Sequence, residues 1–282
     1  MKNNKSNPLK KLVRNKYNAI ASLPGADQEA NCCEPTGCCA PANKNSSQND
    51  VIFSVMAESY DGLDGYQPEA DLHLGCGIPI EYAGLKPGQS VLDLGSGAGN
   101  DLFVARSIVG STGRLFGLDF SEKMIQKARL NAQKPGYGNM EFISGDIEDM
   151  PFDDNQFDVV LSNCVLNLVP DKHRAFSEIH RVLKRGGNFS ISDIVLEGNV
   201  PEPIQNAAEA YVGCVSGATQ KTDYLKIVRK TGFSAITIQK EREIIIPPNW
   251  FAQVLGEQDV CRLKSSDTFR VLSITLTGVK AQ

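Results

Sequence analysis

With 282 residues, 41% of them hydrophobic, the chain can bury the core of one large domain and still carry an appendage. Its 29 basic residues against 33 acidic ones leave a net charge of −4, which gives no electrostatic footprint for nucleic acid or for an anionic membrane surface. No apolar run reaches the roughly 18 residues of a membrane span and no apolar signal core follows Met1, so a cytoplasmic protein is expected; the charge balance favours a small-molecule substrate, and a monomer is expected.

Taken in order, residues 1–50 are rich in Asn, Ser, Pro, Lys and Cys and end in an Asn-Lys-Asn-Ser-Ser-Gln-Asn linker. That composition predicts a mobile, cysteine-bearing arm with little buried core. A main domain is expected over 51–196. Within it, short β-branched apolar runs predict strands at 90–94, 114–119, 140–143, 157–162 and 188–193, and helix-period segments near 99–109, 121–134 and 171–184 alternate with them. Strands separated by helices imply parallel pairing through right-handed crossovers, hence a doubly wound α/β sheet with its ligand at the carboxyl ends of the strands. From 197 to 282 a small α+β extension is expected, with helices at 203–216 and 222–230 and strand-like runs at 235–239, 243–246 and 271–277.

The run Asp93-Leu94-Gly95-Ser96-Gly97-Ala98-Gly99 joins the first strand to the first of these helices. Its glycines let the backbone turn tightly against a ligand. The dinucleotide fingerprint is not met, because the third glycine falls one position early and Asn100 takes its slot. Asp119 ends the next strand about 20 residues on, where a carboxylate can accept from both hydroxyls of a ribose. Gly145-Asp146-Ile147 follows the third strand and offers an acidic group and an apolar contact to a base. A nucleoside cofactor without a pyrophosphate fits this set.

Those segments, together with Arg181-Val182-Leu183-Lys184-Arg185-Gly186-Gly187, resemble the class I S-adenosylmethionine-dependent methyltransferases, whose sheet is Rossmann-like. The resemblance implies that Gly95 and Gly97 make room for the methionyl part of the cofactor, with Asp93 and Ser96 also in the cofactor-binding set. It also implies that Asp119 holds the ribose and that Phe120, Asp146 and Ile147 frame the adenine, with Asn163 in the cofactor-binding set.

Eight cysteines are many for a cytosolic chain, and they are not spread as a disulfide lattice. Three stand alone, in Leu74-Gly75-Cys76-Gly77, Ser162-Asn163-Cys164-Val165 and Val212-Gly213-Cys214-Val215. These motifs are similar to the three cysteine motifs of arsenite methyltransferases, the most specific being 162–172. The resemblance implies that Cys76, Cys164 and Cys214 bind arsenite or its thiol adducts. It implies further that an arm cysteine, Cys32 or Cys33, forms a disulfide with Cys76 during turnover, which a thioredoxin-like or glutathione-like thiol reductant then reduces. Asn18 departs from the family pattern, where Gly is usual. With only His73, His173 and His180 present, thiol chemistry is better supplied than imidazole chemistry.

Three alternatives stay open at this point. One is a C- or O-methyltransferase for a quinone-like or sterol-like molecule, with the cysteines as core filler. Another is a non-enzymatic arsenic- or antimony-binding protein. A third concerns the arm, where Cys32, Cys33, Cys38 and Cys39 could form a tetrahedral metal site.

Overall fold

The computed structural model describes residues 8–22, 56–199, 217–245 and 269–282. Helix α1 spans Pro8–Ala21, and the main domain runs β1 Ser90–Leu94, α2 Asn100–Val109, β2 Arg114–Asp119, α3 Glu122–Gln133, β3 Met140–Ser144, β4 Phe157–Asn163, α4 Lys172–Val182 and β5 Leu183–Gly198. After these come β6 Thr219–Gln220, α5 Lys221–Lys230, β7 Phe233–Glu243 and β8 Phe269–Lys280. No helix among the described residues is long and apolar enough to cross a membrane.

Strands pair in the order β3-β2-β1-β4-β5-β8-β7, with β6 beside β5. The first five are parallel to one another. Central parallel strands are covered on both faces, which is why β1 and β4 read as nearly continuous apolar runs. Alternation along each strand then divides the core in two. Val91, Leu115, Val159 and Leu161 pack against α2 and α3, whereas Leu92, Leu94, Phe116 and Val160 pack on the other face with α4 and α5. Ser121 caps α3 by accepting from Met124 N at 3.2 Å, and Asp171 caps α4 by accepting from Arg174 N at 2.9 Å.

Two features differ from the sequence reading. The strand-like run at 235–239 lies inside a longer β7 that ends at Glu243, where the sequence predicts a second strand to begin; β7 bulges against β8 and pairs antiparallel to it, and β8 joins the main sheet antiparallel to β5. Phe233 at the start of β7 meets Phe189 of β5 with ring centroids 4.8 Å apart, so the C-terminal residues share the main core. Residues 8–22 of the arm are helical and docked. Val13 of α1 is buried, Ser121 Oγ donates to Asn18 Oδ1 at 2.7 Å, and Lys10 Nζ donates to Asp146 at 2.6 Å and also pairs with Glu148. The predicted helix at 203–216, and Cys32, Cys33, Cys38, Cys39 and Cys214, lie outside the described residues.

Phe189 is fully buried among Phe176, Phe233 and the Cα of Gly278, where a Cβ would lie 2.6 Å from its ring. Phe189→Ala is expected to cost about 3–5 kcal/mol through the cavity it leaves. Denaturant unfolding of the variant against the parent chain measures this.

Candidate functional site

Register decides what meets at the carboxyl edge. Leu94, the last residue of β1, lies opposite Leu118 of β2 and Ser162 of β4. The glycine loop, Asp119 and the Asn163-Cys164 pair therefore emerge side by side. Gly95 adopts φ +66° while its N–H donates to Leu118 O at 2.7 Å, and a Cβ there would fall 2.4 Å from the Val165 side chain. Only glycine suits both the backbone angle and the gap.

Asp119 is fixed before any ligand arrives. Its Oδ2 accepts from Gly97 N at 3.0 Å and its Oδ1 from Ser121 N at 2.8 Å. Burial raises its pKa to about 6, against the opposing pull of the Ser121, Gly97 and Phe120 N–H groups. Asp93 is raised well above the ordinary carboxylate range by burial and by the charges of Asp101 and Asp119. Burial likewise lifts Asp101 to about 6. These three carboxylates are buried, and Asp101 and Asp119 line a cleft of about 1170 Å³, counting its open mouth.

Every cofactor residue expected from the sequence except Asp93 lines that cleft. Asp93 is buried directly before the glycine loop. Two buried polar atoms on the lining, Ser96 Oγ and Asn100 Oδ1, lack a hydrogen-bond partner. Such atoms fit a ligand that brings its own donors and acceptors, as an amino-acid moiety does. Asn100 was legible only as a departure from the dinucleotide pattern. At the far end Asp146 is not open to solvent alone, since Lys10 of α1 holds its carboxylate; Lys10, Val13 and Tyr17 make one wall of the cleft.

The thiols come from two distant segments. Cys164 follows β4 with φ +60°, a left-handed conformation that is costly for a side-chain-bearing residue, and its N–H donates to Ser192 O at 2.8 Å. It lines the cleft. Cys76 is fully buried beside Gly75, which lines the cleft where Cys76 does not. Ser273 Oγ donates to Cys76 O at 2.5 Å and Cys76 N donates to Asn163 Oδ1 at 2.9 Å. Neither cysteine is in a disulfide. Burial pushes the Tyr224 phenol well above its usual pKa, and Asp193, Cys76 and Cys164 push it the same way. Among the described residues no group of three or more His, Cys, Asp or Glu side chains could hold a metal ion.

Sequence reasoning missed the polar network behind the thiols. Tyr224 Oη donates to the fully buried Asp193 at 2.9 Å, and burial raises Asp193 to about 7. Lys172 Nζ donates to Asn167 O, Val169 O and Gly217 O, tying the turn after Cys164 to the residues just past Cys214 in sequence. A second network links Tyr60, Asp101 and Asn163 on the cleft side.

Asp119 generates a pH dependence with a definite sign. A cation or a hydroxyl donor favours its ionised form, so ligand affinity is present above pH 6 and is lost as pH falls through about 6. Asp119→Asn is expected to weaken S-adenosylmethionine binding roughly 10- to 100-fold, the range for a lost charged hydrogen bond. Calorimetric titration between pH 5 and 8 checks both; a flat profile contradicts the assignment.

Comparison with known proteins agrees with this geometry. Residues 85–232 match a family profile described as "Methyltransferase domain". The arsenite methyltransferase of Halobacterium salinarum is 37% identical over 242 residues, which cover 83% of this chain and 59% of that protein. Human arsenite methyltransferase is 30% identical over 280 residues, covering 96% of this chain and 69% of its own. A crystal structure of an arsenic(III) S-adenosylmethionine methyltransferase from Chlamydomonas reinhardtii aligns with a TM-score of 0.62 at 31% identity, covering 83% of this chain and 74% of that one. The chain thus spans less than two thirds of the Halobacterium relative's length. By fold, cofactor loop and relatives, the chain belongs to the arsenite methyltransferase family of methyltransferase-domain proteins.

Proposed function

We propose that the chain transfers methyl groups from S-adenosylmethionine to trivalent arsenic bound by Cys76, Cys164 and Cys214, and so serves arsenic detoxification in the cytoplasm. The observation that carries the reading is that Cys164 lines the cleft while the buried Cys76, from a separate segment, donates its N–H to the side chain of Asn163, the residue directly before Cys164, at 2.9 Å.

Valence explains the choice of three thiols. Arsenite has three hydroxyls, and each thiol that replaces one forms an As–S bond while its proton leaves with the hydroxide as water. Three sulfurs then make a pyramid whose remaining lone pair is the nucleophile, so no general base is required. Soft ligands such as thiolates suit a soft acceptor. Bound in the cleft, the cofactor supplies an electrophilic methyl group to that lone pair. The chain's own part is to orient the sulfurs, to exclude water and to make the encounter unimolecular. Asp119, Ser96 and Asn100 would hold the cofactor's polar groups, and the buried carboxylates suit its positive charge.

Methylation of the lone pair takes two electrons from arsenic, which becomes pentavalent. Two thiols that close to a disulfide return two electrons and restore the trivalent state. Cys76 with Cys32 or Cys33 is the proposed pair, and a thioredoxin-like or glutathione-like thiol reopens the disulfide by exchange.

Cys164→Ser is expected to lower arsenite-dependent methyl transfer at least roughly 100-fold, because the substrate loses one of its bonds and its placement together. Its affinity for S-adenosylmethionine should change by less than about twofold, since this reading assigns Cys164 to arsenic and not to the cofactor. Labelled-methyl turnover and cofactor titration of the variant decide this; retained turnover contradicts the thiol site.

A further inference from the structure

The side chain of Asn163 is engaged with the protein itself. Its Oδ1 accepts from Cys76 N at 2.9 Å. Its Nδ2 donates to Gly77 O at 2.8 Å and to Tyr60 Oη at 2.9 Å, and lies 3.3 Å from Asp101 Oδ2. Tyr60 Oη donates in turn to Asp101 Oδ1 at 2.6 Å. One primary amide thus grips the loop on both sides of the Cys76–Gly77 peptide unit. Of the side chains of this size only an amide can do so: aspartate keeps the acceptor and loses the donor, and leucine has neither.

The loop is shaped to this grip. A Cβ on Gly75 would lie 2.6 Å from Asn163 Nδ2, and one on Gly77 would lie 2.6 Å from Ser192 Oγ. The glycines flanking Cys76 therefore allow an approach that no other residue would. Asn163 is also the chain neighbour of Cys164, and the N–H of the peptide that joins them donates to Ser192 O at 2.8 Å.

We infer that Asn163 is a positioning residue for the thiol site: it holds Cys76, 87 residues earlier in the chain, in a fixed place beside Cys164 before a substrate arrives. The inference rests on the arsenic reading above for its functional consequence. A chelating pair held in place makes the second As–S bond an intramolecular step, and a loosened loop forfeits that advantage.

The test compares the native chain with Asn163→Ser, Asn163→Asp and Gly75→Ala. In the absence of arsenic, alkylation of Cys76 by iodoacetamide, read by peptide mass, is expected to be at least roughly tenfold faster in Asn163→Ser, because local opening exposes a fully buried thiol. Asn163→Asp keeps the contact to Cys76 N and should fall between the two. Gly75→Ala drives a methyl into the same amide, so combining it with Asn163→Ser should add little to the faster single variant. With arsenite, KM should rise roughly tenfold in Asn163→Ser with a smaller fall in kcat, while cofactor Kd stays within about twofold. Unchanged Cys76 alkylation in both Asn163 variants overturns the inference. So does a loss of cofactor affinity with an unchanged arsenite KM, which makes Asn163 a cofactor ligand instead. Should the native chain fail to turn over arsenite, the arsenic reading falls, and the alkylation rates still decide the role of Asn163. Asn163→Asp carries that decision if the serine variant does not fold.

Discussion

The parallel hydrogen-bond ladder of β1, β2 and β4 is the constraint on which the site depends. Pairing of Leu94 with both Leu118 and Ser162 makes three strands end level, so the glycine loop, Asp119 and Cys164 emerge at one line. A slip of one residue in β4 would turn its apolar side chains to the wrong faces and carry Cys164 away from the cleft. The apolar packing on both faces of the sheet therefore fixes the position of the chemistry as well as the stability of the fold.

Low polarity at that line sets the electrostatics. Asp101 and Asp119 carry raised pKa values because burial penalises their charge, and Lys10 is the sole Lys or Arg on the cleft lining among the described residues. A cationic ligand meets a cleft already short of positive charge. Behind the thiols, Asp193 and Tyr224 satisfy each other, and Lys172 spends its donors on three carbonyls, so the polar groups there brace the backbone. The chain combines two features that pull apart: carboxylates that face a ligand cleft, and cysteines that are sheltered from solvent.

Much of this was legible in the sequence because the signals are local. β1 and β2 fall on the residues their apolar runs marked, and α2, α3 and α4 within two residues of the periodicity. Asp119 and the glycine loop were legible from spacing, since a ribose clamp must end the strand after the loop. What escaped was non-local. The run at 235–239 is part of an eleven-residue strand because β8 pairs with it across bulges, and no pattern within β7 encodes that partner. Residues 8–22 read as unstructured from their polar composition, but Val13 and Lys10 gain partners only once α3 and Asp146 exist. Asn163 entered the expected cofactor-binding set with the family resemblance; its contact with a loop 87 residues away is visible only in three dimensions. Cys214, Cys32 and Cys33 lie outside the described residues, so for them the sequence reading stands alone.

The central claim is that sulfurs from separate segments share one arsenic atom. Arsenic K-edge absorption of the arsenite-loaded chain reads the atoms bonded to arsenic directly. The account predicts a shell of three sulfurs without oxygen, reduced to two in Cys164→Ser. An oxygen shell, or a sulfur count indifferent to Cys164, would contradict it.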